Sequence, residues 1–323
     1  MSPVWCAENT EKEKEILMSK FLEAIKKDRA KARGTTDVPF DHFEDNIFGN
    51  KMREDYFEMF NRGDGEELRS KACAAHSSSM LAYNFFHWIS TDNHFEYYDT
   101  VYNRVFFEVR IPTISKSPAP ANMDIVLISE NEKKWLMLES KFTEYFHRSS
   151  REMINLSHGY FTPHRYLFAD QDEAIRTCNL VKYWNHKADP HGKQSKSEYY
   201  DGIKQQLCHL IAIKNIMLPS GRIQVEAKVK EYNPGLERMP EHIHFRTILF
   251  DPPKVFEKEY AAYTAYKNLC NDFCDSVAVK GVCPKTVTVG VTTYSEVWIK
   301  MKPQIHNKEL YMFLTDRYMS LKQ

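Results

Sequence analysis

The amino-acid sequence predicts an α/β fold in which helices alternate with short strands, and three observations carry the prediction. Apolar residues recur at helical spacing near the start, across residues 203–217 and near the end. Three β-branched and aromatic runs follow one another between residues 104 and 142. Two further runs of that kind flank a long helical pattern. With 323 residues, 42% of them hydrophobic, the chain carries enough apolar surface for one large unit of this class.

Taken in order, residues 11–33 place Ile16, Leu17, Phe21, Leu22 and Ile25 on one face among charges, with Gly34 as the stop, and predict an amphipathic helix. A second helical region begins near Gly63-Asp-Gly-Glu-Glu-Leu and runs through residue 89, with a serine of the run starting at Ser77 as its N-cap. The period then shortens. Residues 104–111, 123–129 and 134–142 read as three consecutive strands in a meander, separated by the proline-bearing stretch 112–120 and by a polar turn at 130–133. In the second of them Asp124 precedes the apolar run 125–128, which places the carboxylate at the strand's end. Residues 143–201 mix aromatic, histidine and basic residues and predict helices and loops. A helix follows from residue 202, then strands at 244–250 and 286–291 on either side of a helix at 255–274, and a closing helix at 308–321.

Composition excludes several functions. The 44 Lys+Arg balance 44 Asp+Glu, so total charge does not announce a nucleic-acid binder. Only 11 glycines are present and neither glycine-rich phosphate-loop pattern occurs, which argues against nucleotide cradling. No run approaches the roughly 18 apolar residues of a membrane span, and the charged start lacks the apolar core of a signal peptide. Seven cysteines, an odd number, suit free thiols and a cytoplasmic location, with no membrane partner. Cys270, Cys274 and Cys283 lack the paired short spacings of structural zinc, and Cys208 reads as core.

The chemistry concentrates in the third strand. Side chains alternate, so Trp135, Met137, Glu139 and Lys141 share one face while Leu136, Leu138, Ser140 and Phe142 take the other. An acid and a base therefore project side by side from an apolar strand. Burying such groups costs several kcal/mol each unless they are paired or bind an ion. Two carboxylates brought together from neighbouring strands, Asp124 and Glu139, would repel each other and raise one pKa, and a divalent cation relieves both penalties. The plain alternative is a salt bridge between Glu139 and Lys141 at a sheet edge.

The order helix, strand, strand with Asp124, strand with Glu139-Ser-Lys141, helix, strand resembles the core of the PD-(D/E)XK nuclease superfamily over residues 63 to about 250. Three segments, Gly63-Asp-Gly-Glu-Glu-Leu, Ala75-His-Ser-Ser-Ser-Met-Leu-Ala-Tyr-Asn-Phe-Phe and Glu139-Ser-Lys-Phe-Thr-Glu, are similar to segments of a bacterial restriction-endonuclease-like family. Ser79 stands where that pattern has glutamine, and Asn122-Met123 precede Asp124 where the superfamily motif has proline. The resemblance implies a restriction-endonuclease-like core, a central mixed sheet flanked by helices. Residues 1–62 would then be a helical N-terminal region, and 63–323 the nuclease domain with a helical insertion at about 143–201. It further implies cleavage of DNA phosphodiesters with Mg²⁺ or Mn²⁺, held by Asp124, Glu139 and the Ser140 carbonyl, with Lys141 orienting or deprotonating the attacking water, or stabilising the developing charge.

Other site residues follow from the same resemblance. Glu67, beside Glu66, would supply an acid from the first helix, although acids are also favoured in a first helical turn. Gln206 sits in the apolar stripe of the helix from residue 202 and resembles a glutamine placed near the active site in RecB-like nucleases; Gln205 and His209 flank it as alternatives. Glu144 is a secondary acid, and Asn84 reads chiefly as a buried hydrogen-bonder. The insertion, with its interleaved aromatic and basic residues, would flank the site and help grip DNA. Restriction-type enzymes often act as homodimers to cut both strands. The reading from another class is a catalytically inactive nuclease-fold module that binds DNA or protein.

Overall fold

The structure is a computed structural model that describes residues 42–62, 68, 72–74, 77–116, 119–143, 145, 156–168, 170–188, 200–218, 222–254 and 256–319. The expected helix at 11–33 lies outside these residues. Six strands form one sheet: β1 (Phe95–Tyr97), β2 (Thr100–Ile111), β3 (Ala121–Ser129), β4 (Lys134–Lys141), β5 (His242–Leu249) and β6 (Val287–Thr293), ordered β1-β2-β3-β4-β5-β6. The first four pair antiparallel, whereas β5 runs parallel to β4 and β6 parallel to β5, so the sheet is mixed. Its curl brings opposite edges together: the Tyr97 hydroxyl on β1 lies 3.3 Å from the Thr292 hydroxyl on β6.

Eight α-helices are formed among the described residues: α1 (Glu54–Arg62), α2 (Ser78–Phe86), α3 (Gln171–Ala188), α4 (Tyr200–Met217), α5 (Arg222–Tyr232), α6 (Glu257–Val279), α7 (Tyr294–Met301) and α8 (Lys308–Leu314). Antiparallel neighbours need only tight turns, so β2, β3 and β4 form the expected meander. Parallel neighbours need crossovers, which α3 to α5 and then α6 supply. The Ser77 side chain accepts from Met80 N and caps α2, a helix buried along its length from Ser79 to Phe86.

Both faces of the meander are covered, which is why β3 reads as continuous apolar sequence. Ile125, Leu127, Leu136 and Leu138 pack under α1, α2, α7 and α8 with Tyr56, Phe60, Phe85 and Trp298. Val126, Ile128, Trp135 and Met137 pack against Ile213 and Ile216 of α4 and Val225 of α5. A third cluster joins α3, α4 and α6 through Trp184, Leu210 and Phe273. The segment from residue 42 to α1 packs through Ile47, Met52 and Tyr56 on the same core as α2. One placement differs from expectation. The strand bearing Asp124 begins at Ala121, so Asp124 sits within it, because β2 and β3 stay paired to Ile111–Ala121.

Candidate functional site

Beta alternation puts the acid–base pair Glu139 and Lys141 on one face of β4. Trp135 and Met137 belong to the cluster facing α4, and Leu136, Leu138 and Phe142 to the opposite one, so Glu139 and Lys141 continue toward α4. The β3–β4 register pairs Ile125 with Leu138, and one step further sets Asp124 opposite Glu139. There the strands part. The Ser140 amide donates to Asp124 Oδ2 at 2.6 Å, so a side chain satisfies a backbone donor at the end of the ladder. Ser140 Oγ donates to Ser78 O and meets the Tyr294 hydroxyl at 2.8 Å, fixing β4 to α2 and α7.

Glu139 is only 1% exposed. Its Oε1 accepts from Lys141 Nζ at 2.7 Å, and its Oε2 lies 2.8 Å from His209 Nε2 on α4 without an aligned hydrogen bond. Lys141 Nζ also donates to Gln205 Oε1 at 2.6 Å. Burial alone would lift the Glu139 pKa, but Lys141 and His209 outweigh it and hold the carboxyl down at about 2. Asp124 moves the other way, well above the usual carboxylate range, through burial first and then repulsion from Glu139 and Glu108. The nearby Lys141 and the Ser140 amide oppose that rise without cancelling it. The two acids are thus pushed in opposite directions, Glu139 toward its ionised form and Asp124 toward its protonated one.

Glu108 is the residue that sequence reasoning missed. The pairs Phe107–Ile125 and Val109–Met123 bracket it, so it stands across β2 from Asp124, with φ at 50°. A charge interrupting the apolar run from Val105 to Val109 was the available signal. It lines a shallow cleft with Arg62, Phe106, Tyr232 and Asn233.

The structure separates the two adjacent glutamines. Gln206 Nε2 donates to Cys270 Sγ on α6 at 3.2 Å, so the contact with Lys141 belongs to Gln205. Gln206 lies in the buried stripe facing α6, while Gln205 reaches from its edge. Asn84 accepts from Phe48 N and donates to Asn46 O and to the Tyr318 hydroxyl, a set of bonds that joins α2 to both ends of the described chain. Glu66, Glu67 and Glu144 lie outside the described residues, as does much of the insertion. Burial pushes the Cys270 thiol up to about 11 and those of Cys274 and Cys283 to about 12, which leaves them neutral.

A divalent cation can be tested against this donor set. Among the described residues no group of three or more His, Cys, Asp or Glu side chains is arranged to hold a metal. Mg²⁺ takes only one or two carboxylates and keeps several waters. Asp124 and Glu139 supply two carboxylates near enough to repel each other; Ser140 N engages one Asp124 oxygen, and Lys141 and His209 face the two oxygens of Glu139. Lys141 O accepts from Phe250 N on the β5 side, so alternation turns the Ser140 carbonyl toward the Asp124 side. No described helix is long and apolar enough to cross a membrane. No family model matches the chain, and no curated protein and no solved structure matches it.

Proposed function

We propose that the protein is a Mg²⁺- or Mn²⁺-dependent hydrolase of DNA phosphodiester bonds built on a restriction-endonuclease-like core. Leaving aside β1, α3 and α5, the order α2, β2, β3, β4, α4, β5 supports the core, because it is compatible with the helix, meander, helix, parallel-strand plan expected of that architecture. One observation carries the function: two carboxylates on adjacent strands repel each other in a desolvated position, with a lysine two residues beyond the second. Such a pair disfavours the cation-free ionised state and favours a shared cation.

Asp124, Glu139 and the Ser140 carbonyl would hold the ion, which when bound supplies a polarised phosphate and a more acidic water. Glu139 turning toward it would release the Lys141 ammonium to orient that water or to stabilise developing negative charge. Gln205 keeps Lys141 near the acids, and His209 keeps the Glu139 carboxylate turned toward α4.

The closed Lys141–Glu139 ion pair supports the rival reading, an inactive nuclease-fold module in which the pair is structural. Plasmid, single-stranded DNA and RNA incubated with Mg²⁺, Mn²⁺ or EDTA separate the two. The nuclease reading expects metal-dependent cleavage by the wild type and a loss of at least about a hundredfold in both Asp124→Ala and Lys141→Ala, the scale on which a positioned charge or proton donor acts. No cleavage by the wild type favours the module, and cleavage unaffected by either substitution places the activity elsewhere.

A further inference from the structure

On the sheet face opposite Glu139 and Lys141, the N-terminal ends of β4, β5 and β6 are left partly open. His242 and Thr288 are exposed there and Lys134, His244 and Arg246 half-buried. The register sets Lys134 beside His242, His244 beside Thr288 and Arg246 beside Gly290. A Cβ on Gly290 would sit 3.2 Å from the Arg246 side chain, so the glycine in mid-strand gives Arg246 room to lie flat. Arg246 donates to Phe245 O, Thr288 O and Thr288 Oγ1, which fixes its guanidinium plane.

The curl brings the β1–β2 turn over this face. Tyr98 and Asp99 form the two-residue turn with φ of 49° and 51°, a conformation that favours glycine or asparagine over tyrosine. The strained residue nonetheless presents a large ring, 43% exposed. That ring stacks on His244 at 5.5 Å between centroids and takes the Arg246 guanidinium at 5.2 Å. Burial first, then the positive charges of Arg246 and Lys134 and the neighbouring His242 ring, hold the His244 pKa below the ordinary value.

We propose that this face is a contact site for single-stranded nucleic acid, with an unpaired base stacking on Tyr98 and the adjoining phosphates meeting Arg246, Lys134 and His242. An exposed ring set among cations is the combination that grips single strands with little regard to sequence. Duplex DNA has no free base face to offer the ring, and an acidic peptide uses the charges without needing it. The site is on the far side of the sheet from Asp124 and does not rest on the catalytic reading.

The test is fluorescence anisotropy of a labelled oligothymidylate titrated with the full-length protein in EDTA, at several salt concentrations. Tyr98→Gly removes the ring while keeping a residue suited to the turn, so the fold survives it. The wild type is expected to bind, Tyr98→Gly to weaken binding about tenfold, and Tyr98→Trp to retain it. Lys134→Ala is expected to reduce the slope of log affinity against log salt by about 0.7, one phosphate contact on a single strand. Binding in EDTA requires neither a metal nor cleavage, so it separates this site from failure of the nuclease reading. Absence of binding by the wild type overturns the proposal, and so does binding that either Tyr98→Gly or Lys134→Ala leaves unchanged.

Discussion

Glu139 is tolerable inside the protein only because Lys141 and His209 face its two oxygens. Asp124 gains less: one backbone amide, with Glu139 and Glu108 repelling its charge. The consequences for stability have opposite signs. Glu139, lowered from 4.5 to about 2, contributes stability that is full above its unfolded value and is lost as pH falls through that window. Asp124, raised above 3.8, binds its proton more tightly when folded, so it removes stability as pH rises from its unfolded value toward its folded one. In EDTA, Asp124→Asn is therefore expected to raise the melting temperature at neutral pH and to leave it little changed near pH 4. Melting curves across that range check it, and equal shifts at both ends would show that the carboxyl is not strained. At this scale alternation put Glu139 and Lys141 on one face in the sequence, and the motif resemblance supplied their expected roles. Glu108 was not legible, because only the β2–β3 register reveals what stands opposite Asp124.

The elements that the sequence defines well are those whose pattern and packing agree. The meander alternates as it packs, and α4 buries Ile203, Leu207, Leu210 and Ile213 at helical spacing. Helix α5 shows the opposite case. Its Ile223, Val225, Ala227 and Val229 alternate as a strand would, yet the segment is helical, with Val225 and Val229 buried and Ile223 left 85% exposed. Packing against α4 and β2 overrides the local period there. The same tertiary placement decides between Gln205 and Gln206, which a helical projection alone does not resolve. Helix α7 carried a readable signal, Thr293-x-x-Glu296, realised as a reciprocal capping box. Thr293→Ala is expected to cost about 1 kcal/mol in chemical denaturation, since it strips the cap from a helix that seats Tyr294 and Trp298 in the core. A change below a few tenths of a kcal/mol would mean that packing alone holds the helix.

At the scale of the whole molecule, the sheet changes from antiparallel to parallel pairing at β4, the strand that carries Glu139, Ser140 and Lys141. That arrangement leaves β3 free to diverge where Asp124 sits and lets α4 cross over with Gln205 and His209. The fold thus draws on three separate segments to assemble one charged cluster, and the curl gives the opposite face its own basic and aromatic surface. The proposed activity requires Asp124 and Glu139 to share a cation. Calorimetric titration of Mn²⁺ into the metal-free protein measures this without requiring turnover. A shared cation predicts a saturable isotherm that Asp124→Asn and Glu139→Gln each abolish, accompanied by proton release, because metal binding draws on the ionised form that burial and repulsion disfavour at Asp124. An isotherm identical in the wild type and Asp124→Asn, or no binding by the wild type, would contradict it.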